Sequence, residues 1–293
     1  MANILITGAT GQLGQKVVKS LLSRTEASNI AAMVRNPEKE EAVDIAGRGV
    51  ELRKADYGDY ESLVKAFQGI SKLYFVSGSD IPHRLPQHEN VVKAAVEAGV
   101  GHVVYTSFER INETETSPIA MVAEAHIKTE AWLKSSGITY TILKQNLYLD
   151  MLPMYLGEKV METGVIYLPA GNGKTGFVSR KDMANLAAEI LTSKGHENKS
   201  YDVTAEKAYS FAEVAEELSG ITGKSIQYVS PSLEEYNNTL TKAGVPAQFI
   251  ALFAGFAQGI AQGEFEQTSD IIFRVTGKHP VSVPEFLRQV YKG

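Results

Sequence analysis

"NILITGATGQLGQKVVKSLL" (residues 3–22) sets an apolar run directly against three glycines, Gly8, Gly11 and Gly14, spaced three apart. Residues 3–7 read as a strand and 12–24 as an amphipathic helix, so the glycines fall where one becomes the other. A tight turn needs one glycine, not three. Gly8 permits the turn, Gly11 lets the backbone approach a pyrophosphate, and Gly14 lets helix and strand pack closely. The N-terminus of such a helix has unpaired N–H groups and the positive end of the macrodipole, and it attracts phosphate. The spacing is G-x-x-G-x-x-G rather than the G-x-G-x-x-G of many dehydrogenases. It assigns Gly8, Thr10, Gly11, Gln12, Leu13 and Gly14 to a dinucleotide-binding loop.

The same alternation continues. Strands are predicted at 3–7, 30–34, 50–54, 72–77, 102–106 and 139–143, with amphipathic helices at 12–24, 37–46, 59–68, 86–98 and 122–136. Gly69, Gly99 and Gly137 stand just past three of these helices, where C-terminal glycines belong. Repeated strand–helix units mean a parallel sheet covered on both faces. The fold class is α/β: a doubly wound, Rossmann-type sheet over residues 1–150, with a smaller, mostly helical part over 151–293 that binds substrate. Segments near 175–205 are expected to return to the first part. Helices are predicted at 150–164, 183–193, 211–220 and across 232–265. Short strands are predicted at 200–204, extending the main sheet, and at 226–229. Gly255, Gly259 and Gly263 suggest a tight helix contact, and a ligand cleft is expected between the two parts.

Composition bounds the function. The chain has 293 residues, 44% hydrophobic, with a formal net charge of −5 and no basic run, which argues against a nucleic-acid partner. There is no cysteine, hence no disulfide framework or thiolate chemistry, and a reducing cytoplasm suits it. No charged leader precedes an apolar stretch and no apolar run spans a bilayer, so a cytoplasmic protein without membrane attachment is expected. Six scattered histidines with no ligand spacing predict no metal site. A homo-oligomer is left open.

The second strand chooses the cofactor. An NAD site places Asp or Glu about 20 residues after the glycines, whereas here the strand ends in Arg35, suited to the 2′-phosphate of NADP(H). Asp56, beside Tyr57 in "KADYGD", is placed to accept from the adenine amino group or to cap the following helix. Ser77 and Gly78 end the fourth strand against the cofactor ribose. Thr106 and Ser107 at the fifth strand, and Gln145 after the sixth, complete the predicted cofactor wall.

"ITGATGQLG", "VRNPEK", "ADYGD", "QHENVVKAAVEAGV", "VVYTSF", "GHENKSYDV" and the closing "TGKHPVSVPEFL" together resemble the NmrA-like branch of the atypical short-chain dehydrogenase/reductases. Within it, the chain resembles the bacterial NADPH:quinone oxidoreductases and triphenylmethane reductases. The resemblance implies an NADPH-dependent oxidoreductase whose partner is a small quinone or aromatic acceptor. Family members carry a pattern like L-R-N-x-x-Y after the sixth strand. Lys144 and Gln145 depart from it and Tyr148 matches.

A short-chain dehydrogenase usually carries Tyr-x-x-x-Lys on the helix after the fifth strand, with the phenol as acid/base. Here His126 and Glu130 hold that spacing. Tyr140 and Lys144 match it as text but lie in a strand, and Tyr155 and Lys159 are expected to share a helix face. His126 and Tyr148 are therefore the catalytic candidates, and no acid/base pair is assigned. His88 reads as a helix-surface or packing residue, and Lys128 as a cofactor contact or a solvated side chain. Met151, Met154 and Tyr155 are expected to wall a flat apolar site. A conjugated acceptor needs little help with protonation, so a missing acid suits hydride transfer to a quinone. The alternative is a non-catalytic NADP(H)-binding redox sensor of the NmrA type. An epimerase-like reading suffers from the same missing tyrosine.

Overall fold

The strand–helix alternation folds into one parallel sheet in the computed structural model, which describes residues 2–292. Its strands are β1 (Ile4–Ile6), β2 (Ile30–Val34), β3 (Glu51–Lys54), β4 (Lys72–Phe75), β5 (His102–Phe108) and β6 (Thr139–Gln145). Short strands follow: β7 (Val165–Tyr167), β8 (Lys174–Thr175), β9 (Lys199–Val203), β10 (Tyr209–Ser210) and β11 (Gln227–Val229). The main sheet runs β3-β2-β1-β4-β5-β6-β9, so the order reverses between β1 and β4. Such a switch point opens a crevice at the carboxyl ends of the strands.

Period-two alternation assigns each strand residue to a face. Ile4, Ile6, Ala32, Tyr74, Val104 and Leu143 face helices α1 (Gln12–Leu22) and, from later in the chain, 180–192. Leu5, Met33, Phe75, Val103 and Tyr105 face the opposite layer. After α2 (Glu40–Gly47), that layer is built by α3 (Tyr60–Phe67), α4 (Arg84–Glu97) and α5 (Ala120–Ser135). Both faces of the sheet are thus sealed, which is why its central strands are apolar almost throughout.

Two helices expected in the second half are broken. The helix expected over 150–164 is broken into α6 (Leu152–Leu156) and α7 (Val160–Thr163), because Gly157 adopts φ +87° between them. The later helices are α8 (Arg180–Thr192), α9 (Phe211–Thr222), α10 (Leu233–Lys242), α11 (Ala247–Ala261), α12 (Ile271–Thr276) and α13 (Val283–Tyr291). Residues 232–265 therefore form two helices, parted by Gly244 at φ +78° and Pro246 at the start of α11. Gly255 and Gly259 do make the tight contact: a Cβ on Gly255 would stand 2.8 Å from the Pro118 carbonyl oxygen, and one on Gly259 3.1 Å from the Phe265 ring. Gly263 lies beyond the helix at φ +81°.

β9 joins β6 as the seventh strand, α8 covers α1, and α12 packs beside α8 in the same core. A second core gathers Leu152, Phe177, Phe211, Leu218, Ile260 and Leu287 from the helical part. Among the described residues no helix is long and apolar enough to cross a membrane.

The close approach of α1 to its own turn yields a direct test. A Cβ on Gly14 would lie 2.2 Å from the Gly8 oxygen and 2.8 Å from Ala9 Cα, both rigid backbone, whereas one on Gly11 would meet only the Gly8 oxygen at 3.2 Å. Gly14→Ala is expected to lower the thermal midpoint by the ~1–3 kcal/mol of an overpacked site. Gly11→Ala should leave it nearly unchanged in the same calorimetric scan.

Candidate active site

The carboxyl ends of β1, β2 and β4 border a cleft of about 470 Å³. Its wall begins beyond β2 and β3 with Arg35, Lys39 and Asp56, and passes the turn Gly8–Gly14. It ends with Ser77 to Asp80, Gln87, Tyr148 and Arg180. Only Tyr148 and Arg180 come from the later chain.

The turn presents bare backbone donors to the cleft. Gly8 takes φ +57°, open to glycine at no steric cost, and no side chain caps the α1 N-terminus at Gly11. The first turn of α1 holds no acidic residue, so its N–H groups and dipole face the cleft uncompensated. Arg35 is exposed and makes no ion pair among the described residues, while Lys39 reaches Glu41 only at 3.7 Å. Two cations thus stand beyond β2. Asp56 does not cap α3. Its Oδ1 accepts from Gly58 N–H at 2.8 Å, and Asp59 provides the cap, accepting from Ser62 N–H at 3.1 Å. Tyr57 braces the floor, its hydroxyl bonded to Thr7 Oγ1 and to the Val76 carbonyl.

Three predicted wall residues lie behind the wall instead. Thr106 turns inward, where its Oγ1 accepts the Ser77 N–H at 2.8 Å. Ser107 donates to the Glu130 carboxylate, which also pairs with Arg110 at 2.9 Å. Gln145 is buried, with its Oε1 3.4 Å from the Tyr148 hydroxyl and its Nε2 unpartnered. Burial pushes the Tyr148 phenol up, and the Arg180 guanidinium sits 4.2 Å over its ring.

The two histidines are interior residues. His88, expected at a surface or in packing, is fully buried and accepts the Gly78 N–H at Nε2 at 2.9 Å. Its Nδ1 therefore carries the hydrogen, 2.9 Å from Thr129 Oγ1. Burial holds it neutral, pulling its pKa down to about 3. His126 does not reach the cleft: it is 4% exposed, with Nδ1 2.8 Å from the Tyr105 hydroxyl, and burial drives its pKa well down. Where a Tyr-x-x-x-Lys pair would place an ammonium stands Glu130, of opposite charge and already paired.

Tyr155 and Lys159 do not share a helix face, because Gly157 ends α6 between them. Tyr155 packs on Phe177 and Phe211, ring centroids 6.3 and 6.1 Å away, and neither it, Met151 nor Met154 lines the cleft. Lys128 is exposed and pairs with Glu124 at 3.2 Å. Among the described residues no group of His, Asp and Glu is arranged to hold a metal ion. Lys39, four residues past Arg35, was legible in "RNPEK" as a second cation. Arg180 was not, since only the return of the chain to the sheet brings it to Tyr148.

The fold and glycine turn match a known family. Residues 1–277 fit the NmrA-like family model. The chain belongs to the NmrA-like family. Quinone oxidoreductase 2 of Escherichia coli is 38% identical over 281 residues, covering 95% of each chain. The structure of Citrobacter sp. triphenylmethane reductase complexed with NADP(H) superimposes with a TM-score of 0.89 at 40% identity, covering 98% of this chain and 99% of that one. The NADPH complex of the NADPH-dependent quinone oxidoreductase from Escherichia coli gives a TM-score of 0.89 at 36% identity, covering 98% and 99%.

One buried acid in this NmrA-like chain has a consequence for stability. Glu109 follows β5 with its Oε2 unpartnered, and burial, reinforced by Asp202, raises its pKa from 4.5 to about 7. The folded chain thus holds a proton that the unfolded chain releases near pH 4.5. This contribution is complete below that pH and is lost as pH rises through about 7. Glu109→Gln is expected to raise the thermal midpoint at pH 8 relative to the parent and to leave it little changed at pH 5.

Proposed function

We propose that the protein is an NADPH-dependent oxidoreductase that passes a hydride to a quinone or a similar flat, conjugated acceptor. The observation that carries the reading is the uncapped α1 N-terminus, opening into one cleft with Arg35 and Lys39. A dinucleotide with a third phosphate fits that donor set. The amides at Gly11 to Gly14 hold the pyrophosphate, Arg35 and Lys39 the 2′-phosphate, and Asp56 the adenine edge. Ser77 and Gly78, fixed from behind by Thr106 and His88, border the ribose next to the reacting ring. The Tyr148 end of the cleft then faces the acceptor, with the smaller helical part (151–293) as its outer wall.

When bound, the cofactor supplies a hydride from its nicotinamide. The chain's own contribution is orientation and exclusion of water, which can provide a large part of a rate enhancement without an acid. The helix position that a short-chain dehydrogenase gives to Tyr-x-x-x-Lys carries His126 and Glu130 here, and a quinone spreads the charge it receives. The names of the relatives, reductases of quinones and dyes, support the same chemistry.

Loss of NADPH absorbance on mixing protein, NADPH and a small benzoquinone tests the reading. Tight NADPH binding without turnover of any acceptor would turn it into a redox sensor. Two variants sharpen the test. The parent should bind NADPH at least about ten-fold tighter than NADH, from the ~1.5–3 kcal/mol of a charge-assisted contact. Arg35→Ala should weaken NADPH toward the NADH value, Lys39 retaining part of the preference, and leave NADH unchanged in the same titrations. Tyr155→Phe should keep quinone turnover within a few-fold, against the ~10²–10⁴ lost with a general acid.

A further inference from the structure

Arg84 opens α4 and is only 7% exposed, yet among the described residues it has no anionic partner. Its Nε is sealed and unbonded. Its Nη1 reaches the Val122 carbonyl at 3.5 Å and His126 Nε2 at 3.4 Å, both at the outer limit of a hydrogen bond. Nη2 has no protein partner either, but it is not sealed from solvent. The other buried arginine near the site, Arg110, shows the usual arrangement, with Glu130 at 2.9 Å and Glu113 at 2.8 Å.

The groups around Arg84 offer no counter-charge. His88 and His126 are neutral by burial, and the Tyr105 and Tyr148 phenols are pushed up. Asp80, the one carboxylate acting on it through space, is bonded to His83 at 3.0 Å. A guanidinium does not escape by losing its proton, so a buried, unpaired one is a standing cost unless a ligand brings the anion. Arg84 does not itself line the cleft, but Asp80 and Tyr148, both near enough to act on it through space, belong to the cleft wall at the end opposite Arg35. The anion is therefore expected where the acceptor sits.

We propose that Arg84 is the anion-binding group of the acceptor site. It holds the negative oxygen that a quinone gains on reduction, and so selects neutral or anionic oxygen acceptors over cationic triarylmethane dyes. The inference rests on the oxidoreductase reading above. In the step, the cofactor's C–H bond breaks with its electron pair and a new bond to hydrogen forms on the quinone. The cofactor is oxidised, the quinone becomes a hydroquinone monoanion, and water later supplies the proton. A cationic dye instead loses its charge on reduction: it enters against the guanidinium and leaves it no anion. Arg84 thus supplies electrostatic stabilisation in place of the missing phenol.

The test begins with binding in the absence of turnover. The full chain, saturated with NADP+, is titrated by calorimetry at pH 7.5 with 2-hydroxy-1,4-naphthoquinone, an anion there, and with neutral 1,4-naphthoquinone. The parent should bind the anion at least about ten-fold tighter, the span of one charge-assisted contact. Arg84→Leu should abolish the difference and Arg84→Lys keep part of it, with NADP+ affinity unchanged in both. Equal binding of the two naphthoquinones by the parent overturns the proposal, and that comparison needs no variant to fold. An undiminished preference in Arg84→Leu overturns it as well. In turnover, Arg84→Leu should narrow the kcat/KM ratio of 1,4-naphthoquinone to crystal violet at least about ten-fold. If the anion preference is present but no acceptor oxidises NADPH, Arg84 stands as an anion site and the oxidoreductase reading alone fails.

Discussion

The Gly8 carbonyl and residue 14 compete for one place. Any side chain at residue 14 would lie 2.2 Å from that oxygen, so the first helix can leave the first strand at this angle only with glycine there. That angle aims the bare end of α1 at the switch point between β1 and β4, and the cleft exists because of it. The cores on either face of the sheet then hold the turn from both sides. Ile6 and Val17 pack into one of them and Leu5 into the other.

Behind the far wall of the cleft lies a buried polar layer. Thr106 and His88 each receive one backbone N–H of the 77–78 segment. They satisfy donors that would be costly to bury unpaired, and they leave the outer surface of that segment free. Glu130 and Arg110 neutralise one another in the same layer, so the position of a dehydrogenase lysine has become part of the support. Orientation is what such a layer provides.

Charge is distributed unevenly along the cleft. Arg35 and Lys39 stand exposed at one end, while Arg84 lies nearly buried behind the other, beside neutral rings. Exposed cations are screened and adaptable, which suits a phosphate that also meets solvent. A buried cation is screened less and acts more strongly, which suits charge that appears only during a reaction.

The βαβ series, the glycine turn and Arg35 of "VRNPEK" were legible in the sequence, because each depends on neighbours within about twenty residues. Gly255 and Gly259 could be read as a contact, but their partners, Pro118 and Phe265 among them, could not. Breaks at Gly157 and Gly244 were missed because an isolated glycine within a helical pattern does not by itself show whether the helix ends there. The inward turn of Thr106, Ser107 and Gln145 was hidden for another reason. They stand at strand ends where local pattern predicts the wall, and their direction was decided by buried donors and charges elsewhere, Ser77 N–H and Glu130 among them. Arg84 reads as an ordinary charge at the start of a helix. Only the packing of α4 against α5 removes it from water without an anion, because burial and pairing are properties of the assembled layers and not of the local chain.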